Sequence, residues 1–303
     1  MSIQHREPTA DLVADAVVTV PAPDDQDERL WSVTTILKAF GDSEGLIHWT
    51  AIETAKAAVK QLKTLTAMAD DEDAAIEWLT GARFRASKGE RSATKLGEDV
   101  HAACEQYVVT GTRPALGDQL PNGEMDAETS PYVDSFELWL DRFQPQYTAA
   151  EMTVYNTEYG YAGTLDGHAI VDGTPVILDY KTSKLSFDGR GKRKKPWVDV
   201  ALQLAAYRHA PTAAVWRARR FEQWSRRYYL LNQDERELAV PTPVTDGGLV
   251  IHLTPDHCDV YPIDCGPAVF EAFLYAVEAA RWSMFTSKKV LGEPLALLDR
   301  KAK

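Results

Sequence analysis

Two short stretches near the middle of the chain set acids and a lysine on otherwise apolar segments: GTLDGHAIV at 163–171 and PVILDYKT at 175–182. Side chains alternate faces along a strand. In the second stretch Val176, Leu178 and Tyr180 therefore point one way, and Ile177, Asp179 and Lys181 the other. A buried charge without a partner is strongly unfavourable, so Asp179 and Lys181 must pair with each other, with a metal, or with a nearby acid. In the first stretch Thr164, Asp166, His168 and Ile170 are expected to share a face. The link Asp172–Gly173–Thr174 reads as a hairpin turn, which sets Asp166 on the strand beside Asp179. Two close carboxylates repel unless a cation neutralises them. Mg2+ suits such a pair, because it prefers oxygen ligands and keeps waters that substrate phosphates can replace. A purely structural ion-pair cluster is the alternative.

Several elements must position these residues. A strand over 149–155 precedes the hairpin and carries Glu151 near its head. A helix over 92–109 sets Gly97, His101 and Glu105 near one face, at i, i+4 and i+8. A basic loop follows the hairpin, then a helix at about 198–209 with Gln203 and Tyr207 one turn apart. Further helices are expected within 32–63, at 72–80, at 131–143 and at 267–285, and further strands at 226–232, 236–241, 248–253 and 258–263. The pattern implies an α/β fold: a mixed β-sheet core flanked by helices, with an N-terminal helical region. The expected divisions are a loose polar tail at 1–28, a helical region at 29–145 carrying His101, a core at 146–290 and a tail at 291–303.

The run GTLDGHAIVDGTPVILDYKTSK resembles the PD-(D/E)XK nucleases, whose signature is an acid, a gap, then acid-x-Lys. Asp166 matches the first acid, and Asp179-Tyr180-Lys181 matches the second element. The RecB-like exonuclease branch adds an upstream Gly-x-x-x-His, matched by Gly97 and His101, and a downstream Gln-x-x-x-Tyr, matched by Gln203 and Tyr207. The stretch SVTTILKAF…HWTAIETAKAA looks, more loosely, like exonucleases encoded by actinobacterial phages. The resemblance implies a restriction-endonuclease-like fold. It also implies Mg2+ or Mn2+ held by His101, Asp166, Asp179 and the Tyr180 carbonyl, with Glu151 assisting and Lys181 positioning water or stabilising transition-state charge. Gln203 and Tyr207 would brace the site and contact the DNA backbone.

Many CRISPR-associated and repair-type members carry four cysteines for an iron–sulfur cluster. This chain has three, Cys104, Cys258 and Cys265, in the wrong places, so neither a cluster, a structural zinc site nor a disulfide framework is expected.

The net charge of −12 argues against nucleic acid when taken alone, but distribution matters more than the sum. The run RGKRKK at 190–195 offers Lys192, Arg193, Lys194 and Lys195 to phosphates, and Arg217, Arg219, Arg220, Arg226 and Arg227 form a second basic stretch. A solvated face is the competing reading of each. No run of about 18 apolar residues exists, so no membrane span is expected. The N-terminus lacks the pattern of a secretory signal, and a cytoplasmic protein is the expectation (the host cytoplasm if phage-encoded). The sequence thus points to a metal-dependent exonuclease acting on DNA ends in phage or bacterial recombination, repair or replication, with a recombination or single-strand-annealing protein as a candidate partner. An endonuclease, or a DNA-binding module of a recombination complex without cleavage, is the alternative. An oligomer is compatible with the chain and not demanded by it.

Overall fold

The computed structural model describes residues 29–40, 44–81, 93–184, 186–188, 191–214, 228–230 and 239–292. The chain is mixed α/β. Among the described residues a nine-stranded mixed sheet forms the centre. The strands that matter to the site are β1 (Arg29–Ser32), β4 (Gln146–Asn156), β5 (Tyr161–Val171), β6 (Thr174–Thr182), β10 (Gly247–Leu253) and β11 (Cys258–Ile263). The order β11-β10-β6-β5-β4 is completed beyond β4 by the short strands β7 (Thr212–Ala213) and β9 (Val240–Pro241), and β8 (Tyr228–Leu230) pairs antiparallel with β1. β5 and β6 are antiparallel and joined at Val171 and Thr174 by a two-residue turn. Asp172 and Gly173 there both have positive φ, 48° and 79°, the combination of a type I′ hairpin turn, whose twist matches that of the strands. β6 pairs with β10 in parallel, through a crossover that contains the helix Val200–Arg208.

Helices cover both faces. On one face α1 (Val33–Phe40), α7 (Val200–Arg208) and α8 (Pro267–Met284) pack over Val154, Tyr161, Leu165, Ile177 and Val250. On the other, α5 (Ala93–Thr110) and α6 (Ser130–Phe143) pack over Ala169, Val171, Val176, Leu178, Tyr180 and Ile251. β6 therefore feeds both cores by alternation, Ile177 into one and Val176, Leu178 and Tyr180 into the other. The N-terminal helical region continues through α2 (Glu44–Lys60), α3 (Leu62–Ala67) and α4 (Glu72–Thr80). Asp71 caps α4 by accepting the Ala74 N–H at 2.9 Å. Pro131 occupies the first turn of α6, where its missing N–H costs nothing. The Pro/Gly-rich stretch 112–128 contains a small hairpin of β2 (Gln119–Leu120) and β3 (Gly123–Glu124).

Buried and half-buried histidines tie stability to pH, His168 together with His209 and His252. His209 stacks on Phe270 at 4.7 Å, with no partner for its Nε2. His252 is 1% exposed and lacks a partner for its Nδ1. Burial lowers all three below the ordinary 6.5, so each stays neutral in the fold and takes up a proton on unfolding. Their contribution is complete above about 6.5 and is lost as pH falls below it. The melting temperature is expected to decline over that range. His252→Asn should flatten the decline, which calorimetry across pH would show, and an unchanged slope would contradict this account.

Candidate metal centre

The centre lies where β5 changes neighbours. The β5–β6 ladder runs from Val171↔Thr174 to Gly167↔Leu178. At the start of β5, Tyr161 and Ala162 pair in parallel with Trp31 and Ser32 of β1. Between these two pairings the sheet forks, since β6 stays with β10 through Thr182. The Tyr180 N–H, which the ladder would otherwise engage, donates instead to Asp166 Oδ2 at 2.5 Å. The Asp166 carboxylate thus closes the fork in place of a backbone carbonyl.

Strict alternation fails at this point. Leu165 packs in the α7–α8 core, whereas Ala169, of the same parity, packs in the α5–α6 core. The strand turns over between them, so Asp166 and His168 do not simply continue the face of Thr164. The partner strand shows the same irregularity: Glu151 has φ 47° and stands between the pairs Ala150↔Gly167 and Met152↔Leu165, across from Asp166. A non-glycine residue in that region costs of order 1 kcal/mol, and such strain collects at functional sites.

α5 delivers His101 to this joint. Its Nδ1 lies 3.2 Å from Asp166 Oδ1, and its ring meets the edge of Tyr180 with centroids 5.8 Å apart. Ligand atoms of His101, Glu151 and Asp166 all lie within 4.8 Å of one another. Gly97, one turn earlier, allows the approach: a Cβ there would stand 3.2 Å from Thr182 Oγ1. Burial opposes charge on His101, but the charge of Asp166 and its hydrogen bond outweigh burial and lift the imidazole to about 9. Burial likewise works against ionised Asp166, yet His101, Lys181 and the Tyr180 N–H hold its carboxyl below the usual range.

Beside this group lies a buried ion pair. Asp179 is 2% exposed. Lys181 Nζ stands 2.6 Å from Asp179 Oδ2. Burial pushes Asp179 up to about 6; Lys181 opposes this and the nearby Asp166 adds to it. Burial pulls Lys181 down, and the charges of Asp179 and Asp166 more than offset it, keeping the ammonium protonated. Gln203 of α7 accepts from Lys181 Nζ at 3.3 Å, and its Nε2 donates to Tyr207 Oη at 3.2 Å. The Tyr207 ring lies directly over Gly163 of β5, where an added Cβ would come within 2.3 Å of the ring.

The structure therefore gathers His101, Glu151, Asp166 and the Tyr180 N–H at one point, with Asp179, Lys181, Gln203 and Tyr207 alongside. Asp179 does not join the His101–Glu151–Asp166 group, and its closest charge partner is Lys181. Of the basic loop, Lys192 and Lys195 are exposed, and Arg193 pairs with Asp259 of β11. Arg217, Arg219, Arg220, Arg226 and Arg227 lie outside the described residues, as do the tails at 1–28 and 293–303. One imidazole nitrogen and two carboxylates, next to a third buried acid, suit a divalent ion of the Mg2+ or Mn2+ kind. Such an ion would compete with the His101 proton.

Some contributors were not evident from the sequence. Trp139 Nε1 donates to Tyr147 Oη at 3.0 Å, and Tyr147 Oη meets Tyr180 Oη at 2.9 Å, a chain that anchors the residue whose N–H holds Asp166. Separate apolar segments give no signal of such hydroxyl contacts. Gly163 was visible as part of GTLD, but its reason, the Tyr207 ring, required the fold.

No protein-family model and no curated protein matches this chain. One solved structure similar to it, described as "Crystal structure of SSO0001", covers 91% of this chain and 84% of that one at 11% identity and a TM-score of 0.32. A likeness of that degree carries no argument about function.

Proposed function

We propose that the protein is a divalent-metal-dependent deoxyribonuclease of the PD-(D/E)XK type, in the RecB-like branch, hydrolysing phosphodiester bonds at DNA ends. The observation that carries this reading is the convergence of His101, Glu151 and Asp166 within 4.8 Å at the fork, beside the Asp179–Lys181 pair. His101, Asp166 and Glu151 would hold the ion, with Asp179 adjoining. When bound, the ion supplies Lewis acidity toward a phosphate oxygen and the attacking water.

The chain's own residues do the rest. The Tyr180 N–H fixes the Asp166 carboxylate, so its aim does not depend on side-chain freedom. Lys181, protonated and steadied by Gln203, presents positive charge where the phosphate gathers negative charge in the transition state. Asp179 keeps that ammonium in place. Tyr207, wedged on Gly163, keeps Gln203 in place.

The test is digestion of end-labelled linear DNA beside a closed circle, with Mg2+ or Mn2+ and with chelator. Loss of the linear species alone is expected. Nicking of the circle would make the protein an endonuclease of the same superfamily, and inactivity toward both in either metal would overturn the reading. One observation favours a second reading, a DNA-binding module without cleavage: Lys181 is occupied by Asp179 and Gln203. Binding without cleavage in Mn2+ would select it.

A further inference from the structure

We propose that the strap between β6 and α7 is a single-strand binding platform on which Trp197 stacks an unpaired base of the DNA end. The inference rests on the nuclease reading above and names the form of substrate that the site takes. Trp197 is 65% exposed and its neighbour Val198 89% exposed. An indole left in water forfeits a large burial free energy, and its company here is basic: Lys192 and Lys195 are exposed, and Lys194 half-buried. An exposed indole just after a run of lysines, in a chain of net charge −12, matches the two needs of a single strand: a flat face for a base and cations for phosphates.

The strap is also held in shape and tied to the site. Lys194 N donates to Ser186 O at 2.9 Å, and Asp188 N to Lys192 O at 2.7 Å. Ser186 Oγ donates to Thr254 Oγ1 at 3.1 Å, and Arg193 pairs with Asp259. These bonds pin the strap against β10 and β11 and lower the ordering cost of binding. Its first end follows Lys181 and its second leads into Gln203. Asp199, two residues beyond Trp197, accepts the Gln203 N–H through its carbonyl at 3.2 Å, and Gln203 Oε1 lies 3.3 Å from Lys181 Nζ. A base on Trp197 would therefore place its strand beside the metal centre. The ring face favours an unpaired base, because the bases of a continuous duplex already stack on one another.

The test is fluorescence anisotropy with the full chain, Ca2+ in place of Mg2+, and labelled DNA: a single strand of about ten nucleotides and a blunt duplex. Trp197→Ala is expected to weaken single-strand binding ~10-fold, Trp197→Phe to retain most of it, and duplex binding and melting temperature to stay unchanged. Unaltered single-strand binding in Trp197→Ala would overturn the platform while leaving the nuclease reading intact. An equal loss on the blunt duplex would also overturn it, by making Trp197 a stack for the terminal pair. Failure of the wild-type chain to bind either DNA at low salt would remove both proposals.

Discussion

Asp166→Ala is expected to reduce metal-dependent cleavage by at least ~10³-fold while circular dichroism stays that of the wild type. Two partners lose their acceptor at once: His101 Nδ1, 3.2 Å away, and the Tyr180 N–H, 2.5 Å away. Asp166→Asn separates the two functions, because an amide oxygen can still accept from Tyr180 but brings no charge to an ion. If the carboxylate matters as a ligand, Asn should be nearly as inactive as Ala and should bind Mn2+ more weakly by calorimetry. Lys181→Ala should lower the rate by ~10²-fold or more with little change in Mn2+ affinity, since the ammonium faces charge that develops in the reaction. A variant at either position that cuts at the normal rate would refute the assignment of this cluster.

Gly163→Ala is the second large expectation, and it reaches the same chemistry by packing. The added Cβ would come 2.3 Å from the Tyr207 ring, and Tyr207 is only 3% exposed, so the ring has little room to retreat. Overpacking of this kind costs ~1–3 kcal/mol, and the melting temperature should fall by several degrees. Displacing Tyr207 also removes the support of Gln203, 3.2 Å from its hydroxyl, and hence of Lys181, so the cleavage rate should fall as well. Adding Tyr207→Ala to Gly163→Ala relieves the clash. The double variant exchanges the clash for a cavity that costs ~3–5 kcal/mol, so it should recover neither the stability nor the rate. Recovery of both, measured by thermal melting and by end-labelled DNA digestion, would show that Tyr207 does not steady the site.

The elements were largely legible because each rests on local signals. The alternation around PVILDYKT and the Asp172–Gly173 turn define β5 and β6 within a few residues, and the helices over 93–110, 130–143, 200–208 and 267–284 follow their apolar periodicity and prolines. β1 was not legible: RLWS is four residues long and is a strand only because Trp31 and Ser32 meet the distant Tyr161 and Ala162. Asp166 shows the limit of period-two reasoning. Alternation predicts that it shares a face with Thr164 and His168, but the strand turns over beside it, and Glu151 takes a left-handed conformation across from it. The conformation of Glu151 leaves no mark in residue type, since it is not a glycine, and Gly167 beside Asp166 does not by itself announce that the strand turns over there. The ion pair of Asp179 and Lys181 was foreseeable from two charges on one apolar strand. That Lys181 rather than the His101–Glu151–Asp166 group is the closest partner of Asp179 depended on where the fork opens.

The parted sheet also bears on how the sequence can drift. His101 arrives from α5 on one side and Gln203 from α7 on the other, and both lead to the acids of a single opening. Substitutions on the inner surface of either helix are felt by the same few side chains, although the two helices belong to different layers. Changes there should be tolerated only in matched combinations, whereas the outward surfaces of both helices can vary independently.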